Sequence, residues 1–305
     1  MPGALEGEHE MASGASVDQA IDLAQVHPEG YTRLARARDG ILLYNRFDQY
    51  IGRSIELYGE YCAERAELLR SVLQEGDIAV EVGAYIGTTT LALARGVGST
   101  GAVIAIEAQR ISHQMLCANL ALNSITNVYA PLMAATEEPG QMLVPIMSPR
   151  VENNFSALGL KDQEWEGGDA VPANTIDSFE LQHCRLLVVD AEGMEVEVLR
   201  GAEATLATCA PIVYVANHRR DKSPALISHL MDRGYQLFWS ITPVWRAGNF
   251  AGNDTNHFAE TVVVGMLGLP PGDATRVEGR KVESPADSWS GVTPVRTFVP
   301  EPIKG

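Results

Sequence analysis

Basic residues are scarce in this chain: 23 lysines and arginines stand against 39 acids, a net charge of −16. Phosphate backbones are gripped by a cationic face, so nucleic acid is disfavoured as a partner. Cysteine is scarce too. Cys62, Cys117, Cys184 and Cys209 are far apart, with no C-x-x-C pair and no histidine at a ligand interval. They read as reduced thiols, and a zinc site built from them is disfavoured. No apolar run reaches the length of a membrane span, and the N-terminus lacks the basic-then-apolar pattern of a secretion signal. These absences make a cytoplasmic protein with no membrane span the expectation. With 46% apolar and 20% charged residues over 305 positions, the chain is long enough for one large α/β domain with additions.

The most informative stretch runs from Asp77 to Thr90. It reads as a buried strand (78–82), a glycine turn (Gly83 to Gly87) and a helix starting near Thr88. A second apolar strand, from Ala102, ends in Glu107, twenty residues past Gly87. A strand, glycine turn and helix with an acid at the next strand tip is how an open α/β sheet holds a ribose-bearing ligand. The turn admits the backbone closely, the helix N-terminus favours a negative group, and Glu107 can accept both ribose hydroxyls.

The glycine spacing narrows the ligand. A dinucleotide turn has G-x-G-x-x-G, its middle glycine making room for pyrophosphate. Here the pattern is Glu81-x-Gly83-x-x-x-Gly87, with Tyr85 where that glycine would stand. A nucleoside without phosphates fits better, and S-adenosylmethionine is one. The expected contacts are Glu81, Gly83, Ala84, Tyr85, Gly87, Thr88, Glu107 and Ala108, joined by Asp190 and Glu192 from a later strand end. A purely structural turn is the competing reading.

Organisation along the chain follows from periodicity and breakers. Residues 1–16 are Gly-, Glu- and Ser-rich and expected to be disordered. Residues 17–75 form an N-terminal cap: helical spacing over 17–26, a hairpin over 32–45 expected to cover the sheet edge, and a helix over 60–74. The core is expected over 76–268, with strands 78–82, 102–107, 127–134, 186–190, 211–216, 235–241 and 259–267. Helices 88–96, 111–122, 194–206 and 223–233 alternate with them, which predicts a parallel sheet covered on both faces. No helix separates the last two strands, so one is expected to run antiparallel. Residues 140–175 break the alternation and read as an inserted hairpin and loop that contacts substrate. Residues 269–305 read as an extended arm, draped over the body or over the partner of a homodimer.

The segment Asp190-Ala-Glu-Gly-Met-Glu195, followed by Leu199 and Gly201-Ala202, joins Val80-Glu-Val-Gly-Ala-Tyr-Ile-Gly87 and the lead-in Ala173 to Phe179. Together these resemble the FkbM-type family of S-adenosylmethionine-dependent methyltransferases over about residues 47–217. The resemblance implies a class I, Rossmann-like fold: a seven-stranded, mostly parallel sheet with its last strand antiparallel, flanked by helices. It also implies O-methylation of a hydroxyl on a small secondary metabolite, sugar or lipid head group. Glu81 stands for the more usual Asp, Val188 for a frequent Lys, and Asn217 for a frequent Glu.

Methyl transfer to a hydroxyl needs alignment, exclusion of water and a base near the proton. The ligand end of the sheet gathers Asp190 and Glu192, then Asn217 and His218, then His257. Asp190 is expected to orient the acceptor and His218 or His257 to take its proton. Asp190 and Glu192 have a rival role, binding amides at the adjacent helix start. Asp190 with Asn217 echoes half of the acid–acid–Asn set that chelates metal in some O-methyltransferases; magnesium stays open but disfavoured, and its ligands undetermined. His218-Arg219-Arg220 is either a solvated loop or a grip for an anionic group, and Trp239, Trp245 and Phe250 are either a substrate wall or ordinary packing. Two rival functions remain: a dinucleotide-dependent oxidoreductase, and a non-catalytic ligand-binding protein on the same fold.

Overall fold

The strands that read as uninterrupted apolar runs form the centre of one sheet. The computed structural model describes residues 27–161, 165–289 and 293–294. The expectations for residues 1–16 and 17–26 lie outside the described residues, as do 162–164 of the insert and most of the final sixteen residues.

Four central strands, β3 (Ile78–Val82), β4 (Ala102–Ile106), β9 (Leu186–Val189) and β10 (Ile212–Ala216), are buried almost throughout. Strands covered on both faces need no polar alternation, which is why these read as continuous hydrophobic runs. Their side chains divide by parity. Val80, Ile104, Leu187 and Val213 pack with Val198, Leu206 and Leu226 on one face, while Ala79, Val103, Leu186 and Ile212 pack with Leu69, Leu91 and Leu116 on the other. The helices supplying these partners are α2 (Ala63–Ser71), α3 (Thr88–Gly96), α4 (Arg110–Leu122), α5 (Glu195–Arg200), α6 (Glu203–Cys209) and α7 (Ser223–Met231).

With β5 (Val128–Tyr129), β11 (Gln236–Pro243) and β12 (Thr261–Leu269), the strand order is β11-β12-β10-β9-β3-β4-β5. The central pairings are parallel, and β12 runs antiparallel to both β10 and β11. This is the expected class I methyltransferase sheet.

Several boundaries differ from the sequence reading. The strand expected over 127–134 stops at Tyr129, because Pro131 has no N–H to continue the ladder. The chain resumes as β6 (Ala134–Ala135) in a separate three-stranded sheet with β8 (Asp169–Asn174) and β7 (Gly140–Val144). The β7–β8 hairpin is the insert. The helix expected over 194–206 is two, broken at Gly201, where an added Cβ would collide with the carbonyl oxygen of Thr136. Asp177 restarts it, accepting from the backbone of Ala204 and Thr205 at 2.8 Å each.

Among the described residues the N-terminal cap holds a helix that the sequence reading did not place, α1 (Ile51–Tyr58), ahead of α2. Its hairpin, β1 (Thr32–Ala37) with β2 (Gly40–Asn45), docks on α4 instead of a strand edge. Asn119 bridges the N–H and C=O of Leu43 at 2.6 and 3.0 Å, and Asn123 does the same for Ile41 at 2.8 and 2.7 Å. The described part of the C-terminal segment lies on the chain's own sheet: Arg185 pairs with Asp273 at 2.6 Å, and Trp289 is buried against Trp239 with ring centroids 5.5 Å apart. Among the described residues no helix is long and apolar enough to cross a membrane.

Candidate active site

At the C-terminal ends of β3, β4, β9 and β10 the connecting loops part around one cavity. Parallel sheets place their ligands at such strand ends. Counting its open mouth, the space not occupied by atoms is about 1270 Å³.

The floor is the glycine turn. Gly83 has φ +82°, and a Cβ there would collide with the backbone carbonyl oxygen of Asp190. The turns after β3 and β9 therefore touch through the missing side chain. Gly83 thus serves the packing of the two turns as well as the close approach of a ligand. Tyr85, also at positive φ, buries its ring and donates its hydroxyl to Asp48 Oδ2 at 2.9 Å. The place of a pyrophosphate-admitting glycine is filled by a fixed aromatic ring. Gly87 begins α3 and packs towards Leu116, away from the cavity lining.

Two buried acids line the cavity on either side of this turn. Glu107 is 5% exposed, and its oxygens accept from the N–H groups of Tyr85 (2.8 Å) and Gln109 (2.7 Å). Burial pushes its carboxyl up to about 7 against those hydrogen bonds. Glu81 accepts from Thr90 Oγ1 at 2.6 Å, and burial pushes it up to about 8.

On the far side stand the groups of the D-x-E-G-x-E segment. Asp190 meets Arg65 of α2, with Nη1 to Oδ2 at 3.1 Å, and Arg65 also reaches Thr89 Oγ1 at 3.3 Å. Glu192 sits at φ +48° and pairs with His218, Oε2 to Nε2, at 3.0 Å. Burial alone would push His218 down, but the Glu192 carboxylate, helped by Asp190 and Glu195, reverses this and raises it to about 9. Glu195, the first residue of α5, turns back towards the same loop, its Oε1 accepting from Gly193 N at 2.9 Å. From the loop after β10, Arg219 and Lys222 donate to the carbonyls of Glu192 (3.2 Å) and Gly193 (2.7 Å). Arg220 lies over the Trp289 ring at 5.3 Å. These cations tie the loop to the protein, and the solvated-loop reading does not describe them.

Of the residues picked out in sequence, Glu81, Gly83, Ala84, Tyr85, Thr88, Glu107, Ala108, Asp190, Glu192 and His218 share this lining. His257 does not: it is exposed on the segment before β12, its N–H donated to the Tyr58 hydroxyl at 2.8 Å. Asn217 is buried, its amide N–H donating to the sulfur of Met266 at 3.3 Å, and it does not line the cavity, while Asp190 faces Arg65. Among the described residues no group of three His, Cys, Asp or Glu side chains is placed to hold a metal ion. Trp239, Trp245 and Phe250 do not line the cavity. Sequence reading missed Arg65 and Tyr61 from the cap, and Val262 and Val263 from β12. Arg65 left a faint signal, as a basic residue within the predicted helix before β3.

A family model described as the methyltransferase FkbM domain matches residues 81–237, just over half of the chain. No curated protein matches it. Among solved structures it is similar to a methyltransferase FkbM from Methylobacillus flagellatus KT, at 17% identity and TM-score 0.43, over 66% of this chain and 50% of that one. The similarity thus spans only half the length of that relative. A precorrin-6y C5,15-methyltransferase from Geobacter metallireducens GS-15 shares 12% identity (TM-score 0.42) over 67% of this chain and 88% of its own. M. jannaschii TYW2, solved in complex with AdoMet, shares 13% (TM-score 0.40) over 78% and 84%.

Proposed function

Since this chain belongs to the FkbM methyltransferase family, we propose that its cavity binds S-adenosylmethionine and that it methylates a hydroxyl of a small acceptor. One observation carries the reading: a single cavity has the fixed carboxylate of Glu107 at one end and the Glu192–His218 pair at the other. The residues fit such a nucleoside. Glu107 is held by two amides yet keeps further acceptor capacity for a diol, and Tyr85 closes the space that pyrophosphate would need. The bound cofactor would supply an electrophilic methyl group on a sulfonium.

The chain's own residues then divide the work. Glu107 and the turn from Gly83 to Thr88 hold the nucleoside. Ile51, Tyr61, Val262 and Val263 wall the remaining space and exclude water from it. His218, held by Glu192, receives the acceptor's proton. The cap closes the cavity of the cofactor domain (76–268) through Ile51, Tyr61 and Arg65, and the insert adds Asn154, Ser156 and Leu158 to its rim. A secondary metabolite, sugar or lipid head group supplies the hydroxyl, in the cytoplasm and without nucleic acid. A homodimer formed through the C-terminal arm (269–305) belongs to the same reading.

Calorimetry tests the reading. S-adenosylhomocysteine should bind the parent and NAD should not, and Glu107→Ala should weaken that binding by about 1.5–3 kcal/mol, the worth of charged hydrogen bonds. NAD binding in preference would favour an oxidoreductase. Ligand binding without any acceptor gaining 14 daltons in extracts would favour a non-catalytic binder.

A pH dependence follows from the raised carboxyl groups. A diol and a sulfonium both favour ionised Glu107, so binding should pull its pKa below about 7. Affinity should hold above pH 7 and fall as pH drops through it, with proton release measurable by calorimetry in buffers of different ionisation heat. Constant affinity from pH 5.5 to 8 would show that Glu107 stays out of the contact.

A further inference from the structure

We infer that the chain's own N-terminal segment, residues 17–26, docks in an apolar groove between α4 and the insert, outside the cavity of the candidate active site. Ile111 and Met115 of α4 line the groove together with Ile146, Met147 and Pro149 of the insert and Asn45 from the end of β2. Counting its open mouth, the space not occupied by atoms is about 420 Å³. Ile146 stays 45% exposed although it lines the groove, and Val151, two residues past Pro149, is 61% exposed. Apolar surface gathered beside a groove in this way marks a contact site.

The path of residues 28–30 selects the occupant. Arg46 follows Asn45 and Arg150 follows Pro149, so each is the chain neighbour of a groove residue. Arg46 donates to the carbonyl of Pro28 at 3.2 Å, and Arg150 to that of Glu29 at 2.5 Å. Arg33 adds bonds to the carbonyls of Pro28 and Gly30 at 3.1 and 3.0 Å. The chain before His27 therefore sets out from the rim of the groove. Ten residues span about 15 Å as a helix and about 33 Å extended, enough to cross a groove of this size. A tethered segment also meets its site at an effective concentration of about millimolar, which favours it over a separate partner of the same chemistry.

Composition matches the two surfaces. Residues 1–26 carry five acids, Glu6, Glu8, Glu10, Asp18 and Asp22, and no lysine or arginine. The groove and its rim present Arg46, Arg110 and Arg150, with Asp169, paired to Arg110 at 2.7 Å, the one acid in the lining among the described residues. At helical spacing Val17, Ala20, Ile21 and Ala24 fall on one side, with Asp18 and Asp22 along its flank. That is the complement of an apolar groove with a cationic rim. Phe155 lines the groove, while its neighbours Asn154 and Ser156 line the cavity. A docked segment therefore braces the insert from the side away from the cavity.

Amide hydrogen exchange of the full chain tests the docking. Peptides over 17–26 should exchange roughly ten- to a hundred-fold more slowly in the parent than in Ile146→Glu, which puts a charge in the groove. Ile21→Glu, on the docking segment, should release the same peptides, and either variant should speed exchange over 144–158. Leu122→Glu changes an exposed apolar residue at the other end of α4 and should match the parent. Unchanged slow exchange in β3 and β4 reports that each variant is folded. Equal exchange over 17–26 in the parent and Ile146→Glu overturns the proposal, whether both are fast or both slow. An equal gain in Leu122→Glu overturns it as well, since the groove is then not what protects the segment. Protection found only at concentrations where light scattering detects a dimer assigns the groove to a second copy's segment and overturns docking within one chain.

Discussion

His218→Ala should lower kcat by roughly 10²–10⁴-fold, the usual worth of a positioned base, with S-adenosylhomocysteine affinity retained. The variant removes the imidazole that Glu192 holds at 3.0 Å in the cavity, and it leaves Glu107 and the glycine turn untouched. The pH profile distinguishes a base from a packing residue. With His218 raised to about 9 by the Glu192 carboxylate, the neutral imidazole able to accept the acceptor's proton grows about tenfold per pH unit below that point. The parent's kcat/KM should climb from pH 7 and level near 9, and the His218→Ala profile should lose that climb. Glu192→Gln removes the carboxylate that raises His218, so its plateau should begin at lower pH. His257→Ala, on an exposed segment outside the cavity, should behave like the parent. Unchanged turnover in His218→Ala would leave the chemistry to alignment alone.

Gly83→Ala should destabilise the fold by about 2–4 kcal/mol, the sum of a left-handed conformation for alanine and a forced backbone shift. The added Cβ meets the carbonyl oxygen of Asp190, and neither turn can yield without moving a strand end. A drop in the urea midpoint at constant m-value measures it. Gly248 and Gly252 have similar φ values, +69° and +67°, but open space around the added atom. Alanine there isolates the conformational part, about 1 kcal/mol. A Gly83→Ala protein as stable as Gly248→Ala would mean that the two turns are not in contact. Because the displaced carbonyl belongs to the residue that pairs with Arg65, turnover should fall together with stability.

The parts of this fold legible in sequence are those fixed by near neighbours. β3, its glycine turn and α3 fall where the residue pattern puts them, because an apolar run, two glycines and a helical stretch are local signals. Glu107 was legible because a βαβ unit fixes the distance from turn to acid. The misses are tertiary. Gly201 splits a helix because Thr136 passes close by, and nothing within that helix announces Thr136. Asp190-x-Glu192-x-x-Glu195 offers three acids, and the sequence alone does not say that Glu195 takes the amide while Glu192 turns to His218. Arg65 lies in a helix 125 residues from its partner, beyond the reach of any spacing rule. His218 and His257 look alike as strand-end histidines, and only the route of the chain before β12 separates them.

The cavity draws Arg65 from before the first core strand and Val262 to Val264 from the last. About 200 residues of synthesis therefore separate its first wall from its last. At about 5–20 residues per second, a nascent chain spends tens of seconds on the ribosome with its glycine turn made and its cavity unenclosed. During that time the acids and Arg65 remain in water, where burial has not yet shifted their protonation. Capture of a ligand thus belongs to the finished chain, and a ligand present during synthesis can secure the last step of folding but cannot guide the earlier ones.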